Sequence, residues 1–148
     1  MAAGNHFIFD GAFSAEAGGT HNFSAGTYKA ALINSLPVVS QATPTLSDFT
    51  QVTASGSYTD GGNSLTVAIS RSGGTTTIGA STSTTWASAA SGTQSAVAAL
   101  IYRTSNSAAF SFVDLTDDGG TTPASLQTGP ITLRFNNGIY IKKQLLPQ

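Results

Sequence analysis

Cysteine is absent from all 148 residues, so disulfides and thiolate metal sites are excluded and the chain must hold its shape by burial. A single domain of this length buries about two-thirds of the surface its unfolded chain exposes, which is enough to fold without staples. Charge is nearly as scarce. Lys, Arg, Asp and Glu together make up 9% of the residues, against roughly 25% in ordinary soluble domains. Most of the surface must therefore be Ser, Thr, Gly, Asn and Gln, with some Ala. Such a surface takes little part in long-range steering and suits a protein that spends its life packed in an assembly. The net charge is −1 and only Lys142 and Lys143 are adjacent among the six basic residues, so no cluster exists to release counterions from nucleic acid. No apolar run approaches the ~18 residues of a membrane-spanning helix. The first basic residue is Lys29, so the start lacks the charged segment of a secretory signal and synthesis in the cytoplasm is expected.

Catalytic side chains are equally few. The histidines are His6 and His21, and Glu16 is the single glutamate. A nucleophilic triad needs a base and an orienting group beside its serine. Here both histidines fall in the irregular first 26 residues, and no Gly-x-Ser-x-Gly elbow occurs. Two histidines without cysteine do not make a typical zinc site. "DLTDDGG" brings Asp114, Asp117 and Asp118 close together, but it lacks the spacing and closing glutamate of a calcium loop. Glycoside hydrolysis needs two facing carboxylates, whereas Asp10, Asp60 and Asp118 each precede glycine and read as turn residues. In "GSYTDGGNSLTVAISR", Asp60 is accordingly expected to turn the chain. Asp114 ends an apolar strand, where a structural hydrogen bond is the expected role. Phosphate-binding and dinucleotide glycine motifs are absent. No catalytic, cofactor-binding or metal-binding residue can be named.

What the chain does have is β patterning. "TYKAALI" alternates as a half-buried strand does, with Tyr28, Ala30 and Leu32 on one face. "FTQVTA" and "SLTVAIS" alternate again, the latter placing Leu65, Val67 and Ile69 together. Gly73-Gly74 predicts a hairpin turn with "TTTIGAS" returning. "SAVAALIY" reads as a fully buried strand, with a helix as the competing assignment because of its alanines. It forms a hairpin with "AAFSFVDL", which puts Phe110, Phe112 and Asp114 on one face. "PITLRFNNGIYIKK" predicts a closing hairpin around Asn137-Gly138. Residues 1–26 read as an irregular N-terminal arm with at most a short helical turn.

Short strands at roughly 8–12-residue spacing predict an all-β, single-domain antiparallel β-sandwich or barrel-like fold over residues 27–148, with residues 1–26 as the arm. The predicted core is Leu32, Val67, Ile69, Trp86, Leu100, Tyr102, Phe112, Leu133 and Phe135. The Ser/Thr tracts after Gly73 keep β-branched threonine throughout and read as solvated strand faces.

The order of these features resembles a family of small virion structural proteins of tailed bacteriophages. The elements are "GNHFIFDGA", "TYKAALINS", a proline-bearing loop, "YTDGGNSLT", "TTWASA", "AVAALIYRTSN", "FSFVDL" and a final "GPITLRFNNGIYI". The family's pattern falls on Tyr58, Thr59, Gly61, Gly62, Leu65, Thr85, Trp86, Ile101, Tyr102, Gly138 and Ile139. This chain departs from it in having fewer acidic residues and more Ser, Thr and Ala, which bears on surface contacts more than on fold. The resemblance implies a non-catalytic β-sandwich-like subunit of the virion. Its implied role is that of a capsid decoration or cement protein, a homotrimer bound to the major capsid protein, with residues 1–26 and 142–148 as contact segments. It implies no cofactor, nucleic acid or membrane. The alternative is a tail, neck or fibre component, or a host-glycan-binding module using Tyr58, Tyr102 and Trp86, although core packing is the expected place for Trp86.

Overall fold

The structure is a computed structural model describing residues 6–24, 27–53, 58–80, 83–88, 95–116, 122–135 and 140–143. It is all-β: twelve strands among the described residues, every pairing antiparallel, with one short helix and one 3-10 turn.

The strands are β1 (His6–Ile8), β2 (Tyr28–Ile33), β3 (Asn63–Leu65), β4 (Val67–Ser72), β5 (Thr75–Ala80), β6 (Thr84–Trp86), β7 (Ser95–Ala96), β8 (Ala98–Arg103), β9 (Ala109–Asp114), β10 (Ala124–Ser125), β11 (Ile131–Leu133) and β12 (Tyr140–Lys143), with helix α1 (Ala12–Ala17) after β1. A five-stranded sheet in the order β1-β9-β8-β2-β3 forms the centre. Its three inner strands carry the most apolar sequence, and β8 and β9 form the predicted hairpin. β2 is buried at successive positions, from Ala30 to Ile33. It is covered on both faces and is not the half-buried strand its alternation predicts. A central strand with a layer on each side has no solvent face for a polar residue to occupy.

The β8–β9 ladder contains a bulge. Ile101 pairs with Ser111 but Tyr102 pairs with Ala109, so Phe110 is the extra residue. A bulge re-aims the side chain it inserts. Phe112 consequently stacks with Phe7 at 5.2 Å and tilts against Phe9 at 5.3 Å. Phe110 instead meets Phe23 and His21 edge-on at 4.8 and 5.2 Å. The two phenylalanines, predicted on one face, serve separate aromatic clusters.

Residues 6–24 enter the body of the domain. β1 is an edge strand of the central sheet, and Phe9, Ala12, His21 and Phe23 are buried. α1 starts hard against the 42 loop: a Cβ at Gly11 would lie 1.7 Å from the Ala42 carbonyl oxygen.

Two expectations for the outer strands are overturned. "SLTVAIS" is split at Thr66, with β3 pairing β2 and β4 pairing β5. Leu65 therefore joins the core while Ile69, on the edge strand of the three-stranded β12-β5-β4 sheet, is 47% exposed. Ile78, opposite it on the middle strand, takes the buried place. The predicted closing hairpin does not form either, because among the described residues β11 pairs β6 and β12 pairs β5. β6 offers Trp86 opposite Ile131 and Thr84 opposite Leu133, all four buried, and that burial outweighs the local turn signal. Asn137 and Gly138 themselves lie outside the described residues. The Gly73-Gly74 hairpin is as predicted, with φ of 54° and 77°. β6 is tied towards β3 by Asn63 Nδ2, which donates to Thr84 Oγ1 at 3.0 Å and to the Thr85 carbonyl at 3.1 Å.

Candidate functional site

Asp60 is exposed on a turn closed by the Gly62 N–H donating to the Thr59 carbonyl at 2.9 Å. Gly61 and Gly62 have φ of 89° and 73°, conformations that glycine adopts without strain. The turn is pressed onto β2 so closely that a Cβ at Gly62 would lie 1.9 Å from the Ala30 carbonyl oxygen.

The tyrosines flanking this turn hold it in place. Tyr58 accepts from the Leu32 N–H at 3.2 Å and donates to Gln51 Oε1 at 2.7 Å. The same oxygen accepts from the Gly61 N–H at 2.7 Å. Tyr102 donates to the Gly61 carbonyl at 2.8 Å. Burial pushes both phenols above their ordinary range, and the Leu32 N–H partly opposes this at Tyr58. Both hydroxyls stay protonated and remain donors. Trp86 is 1% exposed and both tyrosines are also buried, so none of the three offers a face for a sugar to stack on.

Asp114 is buried, and its Oδ1 accepts from the Thr116 N–H at 2.9 Å and the Thr116 hydroxyl at 2.6 Å. This closes the chain as it leaves β9 and is the structural use expected of it. Asp117 and Asp118 lie outside the described residues.

His21 is buried among Phe23, Tyr28 and Phe110. Its Nδ1 lies 3.3 Å from the Tyr28 hydroxyl, which accepts from the Asn22 N–H at 3.1 Å. Burial lowers the imidazole to about 4; a hydrogen bond to the Ala109 backbone opposes the shift and the Arg103 charge adds to it. Neutral at pH 7, the ring behaves as an aromatic with polar edges. Burial also raises Tyr28, to about 12. Arg103 Nη1 donates to the Thr20 carbonyl at 2.8 Å, and Asn106 Nδ2 reaches the same oxygen at 2.9 Å. These bonds fasten the segment after α1 to the β8–β9 turn.

His21 forms part of the floor of a half-open cleft of about 420 Å³ between α1, residues 42–45 and the β8–β9 turn. Its lining mixes small apolar residues, Gly11, Ala12, Ala15, Ala42 and Ala108, with polar ones such as Ser14, Thr20, Thr45 and Asn106. Among the described residues, no Asp, Glu, Lys or Arg lines it. His6 is exposed on β1 and Glu16 is half-buried on α1. Among the described residues no group of three or more His, Asp or Glu is placed to hold a metal ion. The sequence does not announce the cleft, because its three walls meet only through tertiary packing. Gly11, which lets α1 approach the 42 loop, is its one local trace. Compared with protein-family models, curated proteins and solved structures, the chain matches none.

Proposed function

We propose that this chain is a non-catalytic virion structural protein of a tailed bacteriophage, a decoration or cement subunit that binds the major capsid protein, associates with copies of itself and stabilises the head lattice. One observation carries the reading: the buried side chains best equipped for chemistry are spent on holding the fold. His21 and Asp114 are buried and hydrogen-bonded, while Tyr58, Tyr102 and Gln51 clamp one turn. What faces outward is a nearly uncharged β surface. Such a surface acts by shape, through many weak contacts repeated over a lattice, where avidity supplies the strength each contact lacks. Low charge suits dense packing because neighbouring copies do not repel one another. The sequence resemblance supplies the phage context. The glycan-binding alternative is less favoured, because its three aromatic anchors lie in the core.

Quantitative mass spectrometry of purified particles tests the proposal. About one copy per major capsid subunit is the expected result. A handful of copies per particle would move the protein to the neck, tail or fibres, and absence from the particle would overturn the virion reading.

A further inference from the structure

Between α1 and β2, residues 18–24 form a strap that covers Tyr28 of β2 and Phe110 of β9. Two side chains anchor it. His21 and Phe23 are buried, whereas Gly18, Gly19, Thr20, Asn22 and Ser24 are exposed. Phe23 stacks on Tyr28 at 4.7 Å and meets Phe110 edge-on at 4.8 Å. No residue of the strap belongs to a strand, so it can lift without breaking a ladder bond. Its start is built to bend. Gly19 has a φ of 81° and open space where a Cβ would stand, a conformation that glycine adopts without strain.

The neighbours of His21 fix its protonation state. The Tyr28 oxygen already accepts the Asn22 N–H, so the phenol gives its own proton to His21 Nδ1, 3.3 Å away. The one N–H of the neutral ring then serves the Ala109 backbone. A second proton turns Nδ1 into a donor facing a donor and takes from the buried phenol its acceptor. It also sets a cation beside Arg103, whose Nη1 holds the Thr20 carbonyl one residue away. The other groups packed around the ring bring no carboxylate to it. Glu16 of α1 bears on the Tyr28 phenol, while Phe110 and Ala109 of β9, the 42–45 loop and Asn106 are neutral.

We propose that residues 18–24 are a proton-operated strap: protonation of His21 releases them from Tyr28 and Phe110 while the central sheet stays paired. Lifting the strap returns the charged ring to water. It gives up two aromatic anchors and the bonds to Thr20 and Asn22, far less than the five paired strands lose in global unfolding, and so it is the easier opening. The device needs no partner and does not depend on the virion reading.

Native-state hydrogen exchange of the full chain, followed by NMR at pH 7 and 5 in low urea and corrected for intrinsic exchange rates, tests it. The Thr20 and Asn22 amides, bonded to the Ala15 carbonyl and the Tyr28 hydroxyl, report the strap. The amides of β8, which is paired on both sides, report the sheet. Strap amides are expected to open more readily than β8 amides and with a weaker urea dependence. A ring that titrates near 6.5 when free and at about 4 when held raises the strap's opening equilibrium about twentyfold between pH 7 and 5. His21→Phe should abolish that rise and leave the strap closed. His21→Gln, which cannot titrate in this range either, takes its place if the phenylalanine variant does not fold. Strap amides that are unprotected at pH 7, or that open together with β8 at the same urea slope, would overturn the proposal. So would an opening equilibrium that ignores pH, or a non-titrating variant that keeps the rise.

Discussion

Acidification should weaken this fold chiefly through His21, with a share from His6, whose imidazole burial also lowers. An unfolded histidine titrates near 6.5, whereas the buried ring is lowered to about 4. Between those values the unfolded chain binds a proton that the folded chain excludes, so stability rises with pH across the window. The contribution is complete above about pH 6.5 and is lost as pH falls towards 4. A gap of about 2.5 pH units at 1.36 kcal/mol each gives about 3 kcal/mol at the limit, and about 2 kcal/mol is already lost at pH 5. Protonation would set a cation beside Arg103 and among three aromatic rings, with the Tyr28 hydroxyl and the Ala109 backbone as its polar neighbours. Urea denaturation at pH 7, 6 and 5 reads the effect directly. His21→Phe keeps a ring in the cluster and removes its titration, so the slope over the same range should fall to the share His6 contributes. His6→Asn, made in parallel, separates any share of the other histidine. A wild-type stability that is unchanged between pH 7 and 5, or a His21→Phe variant with the wild-type slope, would refute the argument.

Three further outcomes follow from the same geometry. Gly62→Ala forces a Cβ to within 1.9 Å of the Ala30 carbonyl at a φ of 73°, so it should cost about 3 kcal/mol or more in chemical denaturation. Gly73→Ala, with φ of 54° and open space around it, should cost only about 1–2 kcal/mol; equal costs would show that the β2 contact is not what constrains Gly62. Tyr58→Phe leaves the buried Leu32 N–H without its side-chain acceptor and should destabilise by about 1–3 kcal/mol, with a normal result in denaturation counting against the clamp. Trp86 emission should be blue-shifted, resistant to acrylamide and unmoved by added sugars, since the ring is 1% exposed; a sugar-dependent shift would reopen the glycan reading.

The parts of this fold that were legible in the sequence are those governed by neighbours along the chain. The runs around Ala30 and Phe112 read as strands by their alternation, and the run around Leu100 by its unbroken apolar sequence, which left a helix as the competing assignment. Asp60-Gly61-Gly62 and Gly73-Gly74 read as turns because their backbone conformations demand glycine. Asp114, at the end of an apolar strand, read as the holder of a structural hydrogen bond, and Thr116 supplies the partner.

Errors arose where a choice between distant partners outweighed a local signal. Alternation says that Ile69 and its neighbours face opposite ways, but only the partner sheet decides whether a face is covered. On an edge strand it is not. Asn137-Gly138 favours a hairpin, yet β6 offers β11 a buried ladder at Trp86 and Thr84, and pairing across the domain prevails. Phe110 left its predicted face because a single inserted residue in β9 rotated it towards His21, a displacement that strict period-two reading does not allow for. That displacement also shapes the cleft. With Phe110 turned towards Phe23 and His21, the segment after α1 is drawn against the β8–β9 turn, where Arg103 and Asn106 hold Thr20. Thr20, His21 and Asn106 thereby line the hollow between helix, turn and 42 loop. The bulge thus links the core of the domain, through His21, to the cleft on its surface.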